Sequence, residues 1–249
     1  LVAPRELPRV IAAIADQQIH VVTLTITEKG YCLAADGKSL DFTDSEVTAD
    51  LDKPEHPATA VGVLALGLRE RIRAGGAPLS VLSCDNLSEN GKLLQALVQD
   101  YLKASFPDVL PWLEASVVFP CSMVDRIVPG MTPQQRARQE ALLGLLDEGA
   151  VGTEPFSQWI IEDRFAAGRP DWESVGVQMV QDILPYENIK LRLLNASHSA
   201  IAYCGLLAGK ETVDQVMAEP VLRAFVELLM QRDLMPALAE GAVNEVQHA

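Results

Sequence analysis

Two hydrophobic periods alternate along this chain, and then one of them disappears. Apolar residues recur at helical spacing in RELPRVIAAIAD (Arg5 to Asp16), whereas HVVTLTIT (His20 to Thr27) is short and β-branched, as in a strand. ATAVGVLALGLRERIRAGG (Ala58 to Gly76) predicts a helix, stopped by two glycines after basic residues in its last turn, and LSVLSCDN (Leu79 to Asn86) predicts a buried strand. NGKLLQALVQDYLK (Asn90 to Lys103) reads as an amphipathic helix, with further strands in ASVVFPCSMV (Ala115 to Val124) and FSQWIIED (Phe156 to Asp163). From Pro185 onward only helical spacing remains, in LLNASHSAIAYCGLLAG and PVLRAFVELLMQRDLM. The alternation predicts an α/β layer with a mainly parallel sheet over residues 1–182, and the loss of strand signal predicts an all-α domain over 183–249.

Composition narrows the partners. The 249 residues carry a formal charge of −14, which argues against attraction to nucleic-acid phosphates or anionic membranes and favours a small-molecule partner. Cys32, Cys84, Cys121 and Cys204 lie far apart, without CxxC or zinc-ligand spacing, and read as reduced core thiols of a cytoplasmic protein. The sequence shows neither a signal peptide nor an apolar run of membrane-spanning length. LVAPRELP opens without methionine, so Leu1 is not expected to be the natural start.

In open α/β sheets ligands sit at the carboxyl ends of the strands, so polar residues directly after a strand are the first candidates. Three places qualify: TEKGY (Thr27 to Tyr31), SCDNLSENG (Ser83 to Gly91) and VDRIVP (Val124 to Pro129). Each has a plainer reading. Glu28-Lys29-Gly30 could be a solvated turn, Asp85-Asn86 a turn or helix cap, and Asp125-Arg126 a surface ion pair. A fourth cluster lies in the helical region. At about 100° per residue, with Lys190 at zero, Glu187 falls at about 60°, His198 at about 80° and Asn195 at about 140°. All four share one arc with Leu191, Leu194 and Ile201, so polar groups would project from a partly apolar surface. Taken singly, His198 could be a satisfied core histidine and Lys190 a snorkelling amine.

These stretches, together with FPCSMVDRIVP, QWIIEDRFAAGRPDWESVGVQ and PYENIKLRLLNASHSAIAY, resemble the polyol-specific long-chain dehydrogenases, the mannitol dehydrogenase family. The resemblance runs through nearly the whole chain in consistent order. It implies NAD-dependent, metal-independent oxidation of a secondary alcohol, with a Rossmann-type domain and a helical substrate domain enclosing the site. The family's Lys-x4-Asn-x2-His pattern falls on Lys190, Asn195 and His198, and the asparagine of its SCDN loop on Asn86. The resemblance implies Lys190 as base, Asn86 and Asn195 as donors to the reacting oxygen, His198 on a substrate hydroxyl and Glu187 as proton relay. It adds Glu28 and Asp85 beside Asn86 at the cofactor, Asp125 at the substrate, and no metal. Chemistry agrees: alcohol oxidation needs a base, and lysine serves as one where burial or a nearby cation favours its neutral amine.

One departure stands out. No Gly-x-Gly-x-x-Gly turn occurs, so the chain is expected to be a central portion of such an enzyme, lacking the opening of the Rossmann domain and the end of the helical one, and inactive alone. TEPFSQWIIED and SHSAIAY sit closer to the fructuronate reductase branch, making mannonate/fructuronate the expected pair and mannitol/fructose the alternative. Arg126 and Arg192 are read as partners in structural ion pairs. A non-catalytic binding remnant is the reading from another class.

Overall fold

The structure, a computed structural model, describes residues 3–238; Leu1 and Ala249, to which the expectations about start and finish attach, lie outside them. The chain divides into two compact units, 1–181 and 182–249.

The first unit opens with α1 (Ala3–Ala15), β1 (Val21–Leu24), α2 (Ser45–Asp52), α3 (Ala60–Arg73) and β2 (Leu79–Ser83). It continues with α4 (Asn90–Ser105), α5 (Leu110–Ser116), β3 (Val117–Val118), β4 (Ser122–Asp125), α6 (Pro133–Leu143), β5 (Gln158–Glu162) and β6 (Gln178–Val180). Strands β1, β2 and β3 form one parallel sheet in that order, with Val21 opposite Ser80 and Leu79 opposite Val117. A second sheet, β4-β5-β6, pairs β4 antiparallel to β5 and β5 parallel to β6. The single strand expected over Ala115 to Val124 is therefore two strands in two sheets. The break falls at Phe119-Pro120-Cys121, where Pro120 has no N–H to continue a ladder.

Strand β2 is buried along its whole length, and its two faces serve different neighbours, as a period of two requires. Leu79 and Val81 enter the main core with α3 and α4, including Leu64, Leu68, Leu94 and Tyr101. Leu82 points the other way and packs with Ile161 and Val177 of the second sheet region, flanked by Cys84. Helix α3 is apolar on nearly all sides because it is enclosed on nearly all sides. Its N-terminus is capped by Thr59, whose hydroxyl accepts from the Gly62 amide at 3.0 Å, while the buried Asp50 carboxylate accepts from the Thr59 amide and hydroxyl. Gly75 and Gly76, both at positive φ, end the turn that follows.

Arg71, in the last turn of α3, is fully buried and has no carboxylate in contact among the described residues. Its five N–H groups are all taken by backbone carbonyls: Nε by Ala77, Nη1 by Ile14 and Asp16, and Nη2 by Ile19 and Pro78, at 2.6 to 3.1 Å. One guanidinium thus ties the end of α1, the turn into β1 and the turn into β2. Beside β1, a groove of 480 Å³ is lined by apolar side chains only, among them Val10, Ile14, Val22, Leu24 and Val63.

The second unit contains α7 (Leu184–Ile189), a π-helical segment Lys190–Asn195, α8 (Ala196–Leu207), α9 (Val213–Ala218) and α10 (Pro220–Leu229), followed by a second π-helical segment, Met230–Leu234. Ile201, Val216 and Val226 form its small core. Helices α8 and α9 cross closely at Gly205, where a Cβ would lie 2.5 Å from a Val216 methyl. No helix among the described residues is long and apolar enough to cross a membrane.

Two outcomes are expected. Arg71→Met, which leaves a buried or part-buried set of five carbonyls without their donor, lowers the unfolding free energy by about 3 kcal/mol or more in urea titrations, and Arg71→Lys recovers only part of it because an ammonium cannot span the same five acceptors. Burial, reinforced by the Asp85 carboxylate, pushes the Cys84 thiol up to about 11. Its alkylation in the folded protein should then be slow at pH 8, with roughly one thiol in a thousand ionised, and should rise about tenfold per pH unit up to pH 10. Peptide mass spectrometry checks this; a rate that levels off at pH 9 contradicts the burial.

Candidate functional site

The carboxyl ends of β1 and β2 carry two loops that are bonded to each other. After β1 the chain enters a 3-10 turn, Glu28–Tyr31, through Thr27. After β2 it passes through Cys84, Asp85 and Asn86 before α4 begins. The Asp85 carboxylate joins the two: Oδ1 accepts from the amides of Ile26 (3.1 Å) and Thr27 (2.8 Å), and Oδ2 accepts from the Ile26 amide (3.0 Å) and the Tyr31 hydroxyl (2.7 Å). The Tyr31 hydroxyl also lies 2.6 Å from Ser83 Oγ. Burial pushes the Tyr31 hydroxyl far above its ordinary range, and the Asp85 charge adds to this, so the phenol keeps its proton and remains a donor.

The same region is anchored from below by Asn90, the first residue of α4 and fully buried. Its Nδ2 donates to the carbonyls of Ser83 (3.2 Å), Asp85 (2.9 Å) and Ser122 (2.8 Å), and its Oδ1 accepts from the Ser122 amide at 2.9 Å. Ser122 Oγ donates to the Ser83 carbonyl at 2.6 Å. The start of β4, and with it Asp125 at that strand's end, is thereby registered against the end of β2. Gly91 permits this closeness, since a Cβ there would lie 2.4 Å from the Pro120 carbonyl oxygen.

Glu28 and Asn86 are exposed at the two loop tips, and Asp125 is half-buried. A carboxylate suits ribose hydroxyls and an amide can both donate and accept, so the pair fits the sugar and nicotinamide end of a dinucleotide. Neither loop carries the Gly-rich turn that cradles a pyrophosphate. Asp85 is different: it is 5% exposed and both its oxygens are engaged by the chain, so any part it has in cofactor binding is exerted through the loop it fixes. Among the described residues no group of three or more His, Cys, Asp or Glu side chains could hold a metal ion.

In the second unit, Glu187 is buried in α7, Lys190 begins the π-helical segment, Asn195 ends it, and His198 lies in the first turn of α8. The angular reading from sequence assumed α geometry throughout and needs correction. Hydrogen bonding from i to i+5 puts more than four residues in each turn, so each residue advances by less than about 90°. Asn195 therefore sits closer in angle to Lys190 than the roughly 140° of an α-helix. Two serines brace the far end of the segment: Ser197 Oγ donates to the Leu193 carbonyl at 2.6 Å and Ser199 Oγ to that of Asn195 at 3.0 Å.

Other sequence expectations shift as well. Arg126 and Arg192, read as partners in ion pairs, donate instead to backbone carbonyls, of Phe156 at 3.2 Å and Ala237 at 3.1 Å. Tyr31, Ser83, Asn90 and Ser122 escaped the sequence reading as site-shaping residues. Only Asn90 carried a signal, an amide side chain directly before a glycine at a helix start.

Comparison with known proteins now identifies the lineage. Residues 3–174 match the family model of the mannitol dehydrogenase Rossmann domain, and residues 182–249 that of the mannitol dehydrogenase C-terminal domain. D-mannonate oxidoreductase of Escherichia coli (strain K12) is 42% identical over 230 residues, covering 92% of this chain and 47% of that protein. Among solved structures, D-sorbitol dehydrogenase in substrate-free form aligns with TM-score 0.89 at 37% identity, over 98% of this chain and 52% of the other. The Pseudomonas fluorescens mannitol 2-dehydrogenase ternary complex with NAD and D-mannitol aligns with TM-score 0.86 at 36% identity, over 100% and 51%. The chain thus spans about half the length of the curated relatives it matches. With both of its domain types matched in order, and with relatives near 40% identity over almost its whole length, the chain belongs to the mannitol dehydrogenase family of oxidoreductases.

Proposed function

We propose that this chain carries the reacting-group helix and part of the cofactor site of an NAD-dependent dehydrogenase that interconverts a secondary alcohol and a ketone on a hexuronate, mannonate/fructuronate, in the cytoplasm. The observation that carries this reading is the arrangement Glu187, Lys190, Asn195, His198 along α7, the π segment and α8, in the spacing of the family's catalytic pattern.

NAD, when bound, supplies the hydride acceptor, and Glu28 and Asn86 are the residues here that would hold its sugar and nicotinamide end. Lys190 takes the hydroxyl proton in oxidation and returns it in reduction. Asn195 donates its amide N–H to the oxygen on which charge accumulates, and Asn86 is the second such donor by the family pattern. His198 hydrogen-bonds a neighbouring substrate hydroxyl and so fixes which carbon reacts. Glu187 passes the proton between Lys190 and solvent, and Asp125 contributes to substrate binding. Similarity to D-mannonate oxidoreductase supports the acid substrate. The fold match to mannitol 2-dehydrogenase with D-mannitol keeps mannitol/fructose as the second reading.

The substrate is tested by giving the complete protein NADH with fructuronate or fructose in parallel. A higher kcat/KM for fructuronate is expected, and a tenfold preference for fructose reverses the choice. In the same assay Lys190→Ala should cut kcat far more than it weakens NADH binding, and Asn195→Ala should slow both directions by roughly 100-fold or more. Turnover within a few-fold of wild type in Lys190→Ala would remove the base assignment.

A further inference from the structure

The contacts of Asp85 are those of a structural residue, but what they hold is a strained backbone. Thr27 has φ +65° and ψ 164°, a region that is essentially glycine's, and it is a β-branched residue. A non-glycine residue stays in such a conformation only where its surroundings over-determine it. Here the Thr27 amide donates to Asp85 Oδ1, the amide before it donates to both oxygens, and Tyr31, four residues on, donates to Oδ2. The Thr27 carbonyl is held too, accepting from the Gly30 amide at 3.0 Å. Glu28 leaves the chain directly after the strained residue and Asn86 directly after the clamp.

We propose that Asp85 is a positioning residue: its carboxylate holds Thr27 in the strained conformation that directs Glu28, and the same anchor fixes where Asn86 begins. The proposal rests on the reading of Glu28 and Asn86 as site residues. If the clamp is weakened, Thr27 relaxes towards negative φ, the peptide between Thr27 and Glu28 turns, and the carboxylate of Glu28 points elsewhere. A glycine at position 27 would hold the same conformation without strain and would need the clamp less.

The experiment compares Asp85→Asn, Thr27→Gly/Asp85→Asn, Glu28→Gln and Asn86→Ala in the complete protein, reading KM for NADH, kcat, and amide hydrogen exchange at Ile26 and Thr27. Asp85→Asn should lose protection at those two amides and raise KM about tenfold or more, because a displaced binding group costs on this scale. The double variant should recover most of that KM. A merely structural role would lower the folded fraction and hence apparent kcat while leaving KM in place. An unchanged KM in Asp85→Asn, or a double variant no better than the single one, overturns the proposal provided Glu28→Gln or Asn86→Ala has an effect. If both of those are silent, the site reading fails instead, and the clamp is judged on exchange alone: retained protection in Asp85→Asn overturns it. Should Asp85→Asn not fold, Tyr31→Phe removes one of the four bonds and must show the same pattern at smaller amplitude.

Discussion

The carbonyl oxygen of Ser83 is the point on which the first unit turns. It belongs to the last residue of β2, which pairs with Leu24 of β1, and it receives both the Asn90 amide and the Ser122 hydroxyl. A strand end buried this deeply needs its polar groups satisfied, or each would cost about 1–3 kcal/mol. Satisfying them with side chains from α4 and β4 rather than with water locks three elements together. The loops that carry Glu28 and Asn86 are then built on a rigid base, which is what a binding group needs if it is to be displaced by less than an ångström.

Strain and irregularity fall where the candidate residues fall. Thr27 occupies a glycine conformation one residue before Glu28, and the π-helical segment has Lys190 and Asn195 as its two ends. Both features cost free energy relative to regular backbone, and both are stabilised by specific side-chain bonds, from Asp85 and Tyr31 in one case and from Ser197 and Ser199 in the other. The regular parts, α3 and α4 against β2, supply the burial that makes this tolerable.

Much of the architecture is legible in the residues because it rests on local causes. Helix α3 announces itself by its apolar spacing and its terminal glycines, and the change from α/β to all-α is visible in the loss of strand signal from Pro185 onward. What is not legible depends on distant partners. Arg71 looks like a basic residue in a last helical turn, favourable to the dipole and solvated, yet all five of its acceptors lie outside its helix, three of them 52 to 57 residues away. Asp85 reads as a turn residue because its partners, Ile26 and Thr27, lie 59 and 58 positions earlier. The π segment has no compositional mark at all: KLRLLN would serve equally well as α-helix, and only its backbone hydrogen bonding reveals the wider turn.

Gly91 carries a consequence for how tolerance to change is distributed along the chain. A side chain of any size at this position meets the backbone of Phe119 and Pro120, at 2.4 to 2.7 Å, and backbone cannot rotate out of the way as a side chain can. The start of α4 would have to lift, taking Asn90 with it and loosening the end of β2 and the start of β4 at once. In a saturation screen scored on turnover, position 91 would therefore rank with the proposed site residues, although it has no functional group of its own. Screens of this kind map mechanical leverage as well as chemistry, and in this fold part of that leverage rests on a single hydrogen atom.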